Sequence, residues 1–134
     1  MSEFTVLRAG EAPDYTGEAP GAFLGYARPM GSSQLGLNVR VLAPHTEHKP
    51  PGEADGFGHS HRTIEELYFV LEGELNVKLA DEVIALGPRD AVLIPPETPR
   101  AVRNDSDAEA ALLMCSVKIE DPRAESVTHD GFWA

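Results

Sequence analysis

Cysteine is almost missing from this chain: Cys115 is the only one. One thiol cannot close an intrachain disulfide, which fits a reduced, cytoplasmic setting. Its context, "ALLMCSVK", reads as a small core residue rather than a nucleophile. Positive charge is scarce too: 11 Lys and Arg stand against 22 Asp and Glu, for a net charge of -11. Nucleic acid and anionic membrane surfaces repel such a chain, so neither is expected as a partner, and the acidity reads as a device for solubility. No apolar run approaches the length of a bilayer span. The start, "MSEFTVLRAGEAP", lacks the basic opening and long apolar stretch of a signal peptide. Helical periodicity is convincing in no window, which excludes helix-turn-helix and dinucleotide-binding α/β readings. With 134 residues there is room for one sizeable core and not two.

Turn residues and short apolar runs are abundant instead. Gly and Pro fill 23 positions and break any long helix. Between them lie "LGLNVRVL", "LYFVL", "ELNVKL", "EVIAL", "AVLIP", "RAVRN" and "AALLMCSVKI", each of strand length. In the first run, alternation puts Leu35, Leu37, Val39 and Val41 on one inward face and leaves Arg40 on the polar side as a solvated charge. In the third, Leu75, Val77 and Leu79 point inward. Phe69, Leu71, Leu75, Val77, Ile94 and Leu112 read as core or subunit contact. Many short strands at near-regular spacing indicate an all-β sandwich or barrel. The expected organisation is a loop-rich arm over 1–30 with one strand at "FTVLR", a barrel core over 31–118, and a tail over 119–134. Phe132 and Trp133 are expected to dock that tail on the body or on a second subunit.

The chemistry concentrates in "GFGHSHRTIEELYFVLEG", Gly56–Gly73. Alternate residues of a strand share a face, so His59 and His61 project together and Ser60 points away. Glu66 lies past a bend and shares a face with Tyr68 and Val70. Two imidazoles and a carboxylate suit Fe, Mn, Ni or Zn better than Ca or Mg. Spacing alone does not separate that site from an exposed HxH loop with two surface acids.

The spacing of His59, His61, Glu66 and Gly73 resembles the first signature motif of the cupin superfamily, and "GPRDAVLIPPETPRAVRN" (Gly87–Asn104) resembles the second, with Asp90, Pro95 and Asn104 in place. The resemblance implies an antiparallel jelly-roll β-barrel with a site in its mouth. It also marks departures. Arg89 and Glu97 stand where the family has turn glycines. Gly52 sits one position early, before the extended loop "HTEHKPPGEADGFG". Arg100 stands where the family's last metal-binding histidine belongs, and a guanidinium has no lone pair to offer. His45, His48 and His129 are weak substitutes from loops or the tail.

Three outcomes follow for Arg100. The divalent metal stays on His59, His61 and Glu66 while Arg100 clamps an anionic substrate; or Arg100 pairs with Glu66 and takes the metal's place; or Arg100 turns outward. The first is favoured. On that reading the resemblance implies a metal-dependent enzyme (dioxygenase, decarboxylase, isomerase or lyase) acting on a small anionic molecule. Glu66 and Tyr68 are its catalytic candidates, and Arg100 and Tyr68 its substrate contacts. The alternative is a metal-free ligand-binding module without turnover. A homodimer is expected, through a sheet face or exchanged N-terminal strands.

Overall fold

The structure, a computed structural model, describes residues 3–133. Eleven strands run β1 (Ala22–Gly25), β2 (Leu35–Leu42), β3 (Thr46–Glu47), β4 (Gly58–His61), β5 (Glu66–Glu72), β6 (Leu75–Leu79), β7 (Glu82–Leu86), β8 (Ala91–Ile94), β9 (Arg100–Asn104), β10 (Ala110–Val117) and β11 (Ser126–His129). A single helical turn, α1 (Pro122–Glu125), precedes the last strand and is capped by Asp121. One sheet has the order β1-β2-β10-β5-β8; the other runs β11-β4-β9-β6-β7, with β3 paired to β9. Every pairing is antiparallel, and the two sheets close as the jelly roll that the motifs imply.

The core lies between the sheets. Leu42, Val70, Leu75, Val77, Ile94, Val102 and Leu112 are all buried to 2% exposure or less. Burial of each such side chain contributes about 1.5–3 kcal/mol. Two turns hold the strands in register. Gly73, between β5 and β6, has φ +72°, and a Cβ there would lie 2.7 Å from the Glu109 carbonyl oxygen. Buried Asn104 ties the β9–β10 turn: its amide donates to the Leu42, Ala43 and Ala108 carbonyls, and its Oδ1 accepts from Ser106 N and Oγ.

Arg89 and Glu97 keep the left-handed backbone of the glycines they replace, with φ of +71° and +70°. The turns therefore survive at some cost in strain, about 1–2 kcal/mol for a residue with a Cβ.

Several expectations are corrected. "FTVLR" forms no strand, and Phe4 and Val6 are exposed; the arm's strand is β1 instead, at the edge of the first sheet. Strand β2 has the opposite phase to the one expected. Gly36, Asn38, Arg40 and Leu42 pair with the inward residues Ser116, Met114, Leu112 and Ala110 of β10. Leu35, Leu37, Val39 and Val41 thus face outward, and Arg40 is buried. Alternation identified the strand but not its inner face, because here the inner face lines a polar cavity. The tail folds back as α1 and β11, and its aromatics dock on the body: Phe132 lies against Gly58 and under Lys78, and Arg103 stacks over Trp133.

Candidate metal centre

Strand β4 displays His59 and His61 on one face and sends Ser60 the other way, where its Oγ meets His129 Nε2 at 2.9 Å. The two imidazole rings stand edge to face with centroids 5.1 Å apart, and His59 stacks on Phe57. Glu66 opens β5 alongside, with Oε1 3.4 Å from His61 Nε2. One ligand atom from each of His59, His61 and Glu66 can be chosen so that all lie within 4.8 Å of one another.

Electrostatics prepares these groups. Burial holds the His59 pKa down at about 3, against an opposing pull from Glu66, so its ring is neutral and offers a lone pair. Burial pushes the Glu66 carboxyl up, but the hydrogen bond from His61 and the fields of His61, His59 and Arg100 outweigh it, and the net shift is downward. Glu66 therefore stays an anion. Buried His59 Nδ1 has no hydrogen-bond partner. The neutral His59 ring with its orphaned nitrogen, the His61 imidazole beside it and an anionic carboxylate fit a divalent transition-metal ion.

Arg100 lies opposite His59 in the β9–β4 pairing and is fully buried. Its Nη1 donates to Glu66 Oε1 at 3.1 Å. Its Nε and Nη2 donate to the Thr98 carbonyl at 3.3 and 3.0 Å, and Nη2 reaches the Pro95 carbonyl at 3.5 Å. These contacts turn the guanidinium behind Glu66, and Arg100 does not line the cavity. Arg100 thus pairs with Glu66, as the second of the three outcomes set out for it has it, and anchors the carboxylate. Tyr68 is fully buried, and its hydroxyl has no hydrogen-bond partner of good geometry, though Glu66 and Arg100 both act on it. Burial first, and then Glu66, push its pKa well above the usual range, so the phenol keeps its proton.

These groups share a cavity of about 550 Å³, walled further by Phe23, Asn38, His48, Phe57, Arg123 and Thr128. Of the weak histidine candidates, His45 pairs with Asp107 on the surface and His129 is spent on Ser60. His48 does enter the wall, and behind it Arg40 donates to its ring from the inner face of β2. Reading β2 in the opposite phase is the signal that would have placed Arg40 inside.

A profile of the Cupin domain family matches residues 45–116. The chain belongs to the cupin family. An uncharacterized protein of Methanocaldococcus jannaschii is 36% identical over 58 residues, and that match spans 43% of this cupin and about half of its relative, 46%. Among solved structures, a cupin protein from Bacteroides fragilis superposes with a TM-score of 0.69 at 21% identity, covering 90% of this chain and 89% of that one. A protein from Silicibacter pomeroyi, described as a sugar phosphate isomerase from a cupin superfamily, gives a TM-score of 0.73 at 17% identity, with 93% and 92% covered. At these identities the structural likeness speaks for the cupin fold alone. Among the described residues, no helix is long and apolar enough to cross a membrane.

Proposed function

We propose that this cupin is a metal-dependent enzyme that holds a divalent transition-metal ion on His59, His61 and Glu66 and acts on a small anionic molecule in the cavity they line. The observation that carries this reading is the convergence of two imidazoles, His61 buried and His59 half-buried, and one half-buried carboxylate at the inner wall of a cavity wide enough for a small organic acid or sugar derivative. A bound ion would supply Lewis acidity toward a substrate oxygen. Glu66, fixed by Arg100, keeps one charged oxygen in place and is the group able to hold or move a proton there. Tyr68 offers a protonated hydroxyl from the same wall. Phe23 and Phe57 keep part of the wall dry. Isomerisation, the chemistry in the name of the Silicibacter pomeroyi protein, is one reaction that such a pocket admits.

The Arg100–Glu66 pair favours one rival reading, a metal-free binding module. A guanidinium 3.1 Å from the carboxylate already supplies the counter-charge a metal would bring, and it repels a dication nearby. Elemental analysis of protein purified without chelator or histidine tag, beside a His59→Ala control, separates the two. Near-stoichiometric iron, manganese, nickel or zinc that vanishes in the control supports the metal reading. No uptake, even after incubation with each ion in turn, overturns it in favour of the binding module.

A further inference from the structure

His48 is fixed in the cavity wall on several sides. Its backbone N–H donates to the Val102 carbonyl at 2.9 Å. Its ring packs on Phe23 at 5.5 Å and meets His59 at 6.4 Å. Its Nδ1 accepts a hydrogen bond from Arg40 Nε at 3.1 Å. Arg40 is itself buried, with Nη1 donating to the Ala22 and Val41 carbonyls at 3.1 and 2.8 Å, so the guanidinium cannot turn away without losing three bonds.

This arrangement decides the tautomer. A guanidinium has five N–H donors and no lone pair, so Nδ1 must be the unprotonated nitrogen, and a neutral ring then carries its proton on Nε2. The accepted bond itself requires a neutral ring, since an imidazolium would present a second N–H to Arg40 and no lone pair. Two consequences follow. To bind a metal through Nε2, His48 would have to become an imidazolate or abandon Arg40; it does not replace the histidine missing at Arg100. And Nε2–H is a donor with no acceptor among the described residues, on a side chain that lines the same cavity as His59, His61, Glu66 and Tyr68.

Charge defines what it meets. Two buried guanidiniums, Arg40 behind His48 and Arg100 behind Glu66, face the largely buried Glu66 carboxylate, with Asp14 on the surface offsetting part of the Arg40 field. Of the charged groups in the lining itself, Glu53 and Arg123 oppose each other, and the two guanidiniums behind the wall outnumber Glu66.

We propose that His48, oriented by Arg40 as an Nε2–H donor, is the specificity-determining contact for an anionic oxygen of a carboxylate or phosphate ligand bound beside the His59–His61–Glu66 cluster. The inference deepens the small-anion part of the reading above and rests on it, but it does not require the metal.

Calorimetric titration with malonate, and separately with inorganic phosphate, tests it on the wild-type, His48→Phe and His48→Gln proteins, each with zinc and after chelator treatment. At least one anion is expected to bind the wild type saturably, and which one distinguishes carboxylate from phosphate recognition. His48→Phe should weaken that binding roughly tenfold or more, with zinc content unchanged, as loss of a hydrogen bond to a charged group does. His48→Gln, whose amide keeps a donor, should restore most of it. Binding of neither anion by the wild type, equal binding by His48→Phe, or loss of zinc in that variant would each overturn the proposal. Wild type that takes no zinc yet binds an anion through His48 would sink the metal reading and leave this one standing. Nitrogen-15 spectra of the wild type give a readout independent of the variants' folding: a protonated Nε2 and bare Nδ1 on His48 at neutral pH are expected, and the opposite tautomer refutes the argument.

Discussion

Replacing Arg100 with methionine removes the charge behind Glu66 while keeping much of the side-chain volume. Glu66 is 11% exposed and Arg100 0%, with 3.1 Å between Nη1 and Oε1. At an effective dielectric near 20 this separation corresponds to about 5 kcal/mol of attraction. Desolvation of both groups offsets much of that in the intact pair. It does not protect the variant, because truncating one partner strands the other charge, which typically costs about 3–5 kcal/mol. The Thr98 and Pro95 carbonyls also lose their donors. Arg100→Met, unfolded by urea in the presence of EDTA, should therefore lose about 3–5 kcal/mol, and its melting temperature should fall by roughly 10 °C or more. Zinc should then stabilise the variant more than it stabilises wild type, since a dication can neutralise the stranded carboxylate without meeting a guanidinium. A variant within about 0.5 kcal/mol of wild type in EDTA, or one that gains less from zinc, would refute this reasoning.

Acid should unfold the protein through its buried histidines. The His48 pKa is held at about 3 against an ordinary 6.5, so the unfolded chain binds the extra proton between those values. The stability this gives is fully present above pH 6.5 and is lost as pH falls toward 3, at up to about 1.4 kcal/mol per pH unit. His48→Phe should flatten the pH dependence of the urea midpoint in that window, and an unchanged slope would contradict the shift. The outer face of the β1-β2-β10-β5-β8 sheet gathers Leu35, Leu37, Leu71, Leu93 and Val117, with Leu35, Leu93 and Val117 each more than half exposed. We expect it to pair two copies in solution: scattering should give a dimer mass, and Leu35→Glu with Leu93→Glu a monomer, whereas a monomeric wild type would count against the pairing. Arg89→Gly and Glu97→Gly should each raise stability by about 0.5–1 kcal/mol by relieving a positive φ, and a loss in thermal denaturation would show that the side chains contribute more than the strain.

Strands were legible wherever one face meets the core and the other meets water or a partner strand's edge. Leu75 and Val77 alternate cleanly on β6 for that reason, and their inward direction followed from sequence. Strand β2 shows where the logic fails. It runs past the cavity, so its inner face carries Asn38 and Arg40 while its outer face carries the leucines and valines of the exposed apolar surface. A hydrophobic pattern then marks the outside. The convergence of His59, His61 and Glu66 could be anticipated because two of them lie in one strand and the third opens the next. The direction of Arg100 could not, since it depends on the Thr98 and Pro95 carbonyls, backbone groups that carry no mark in the sequence. His48 was hidden similarly: its placement follows from a short pairing of β3 with β9 inside a loop dominated by Pro, Gly and charge.

The claim that this cupin holds a metal on three protein ligands is tested most directly by a crystal of the protein soaked in zinc, with anomalous diffraction collected at the zinc edge. The account predicts one strong peak about 2.0–2.2 Å from a nitrogen of His59, a nitrogen of His61 and an oxygen of Glu66, with Arg100 still seated behind the carboxylate. A map with no peak there and the Arg100–Glu66 pair unchanged would contradict it.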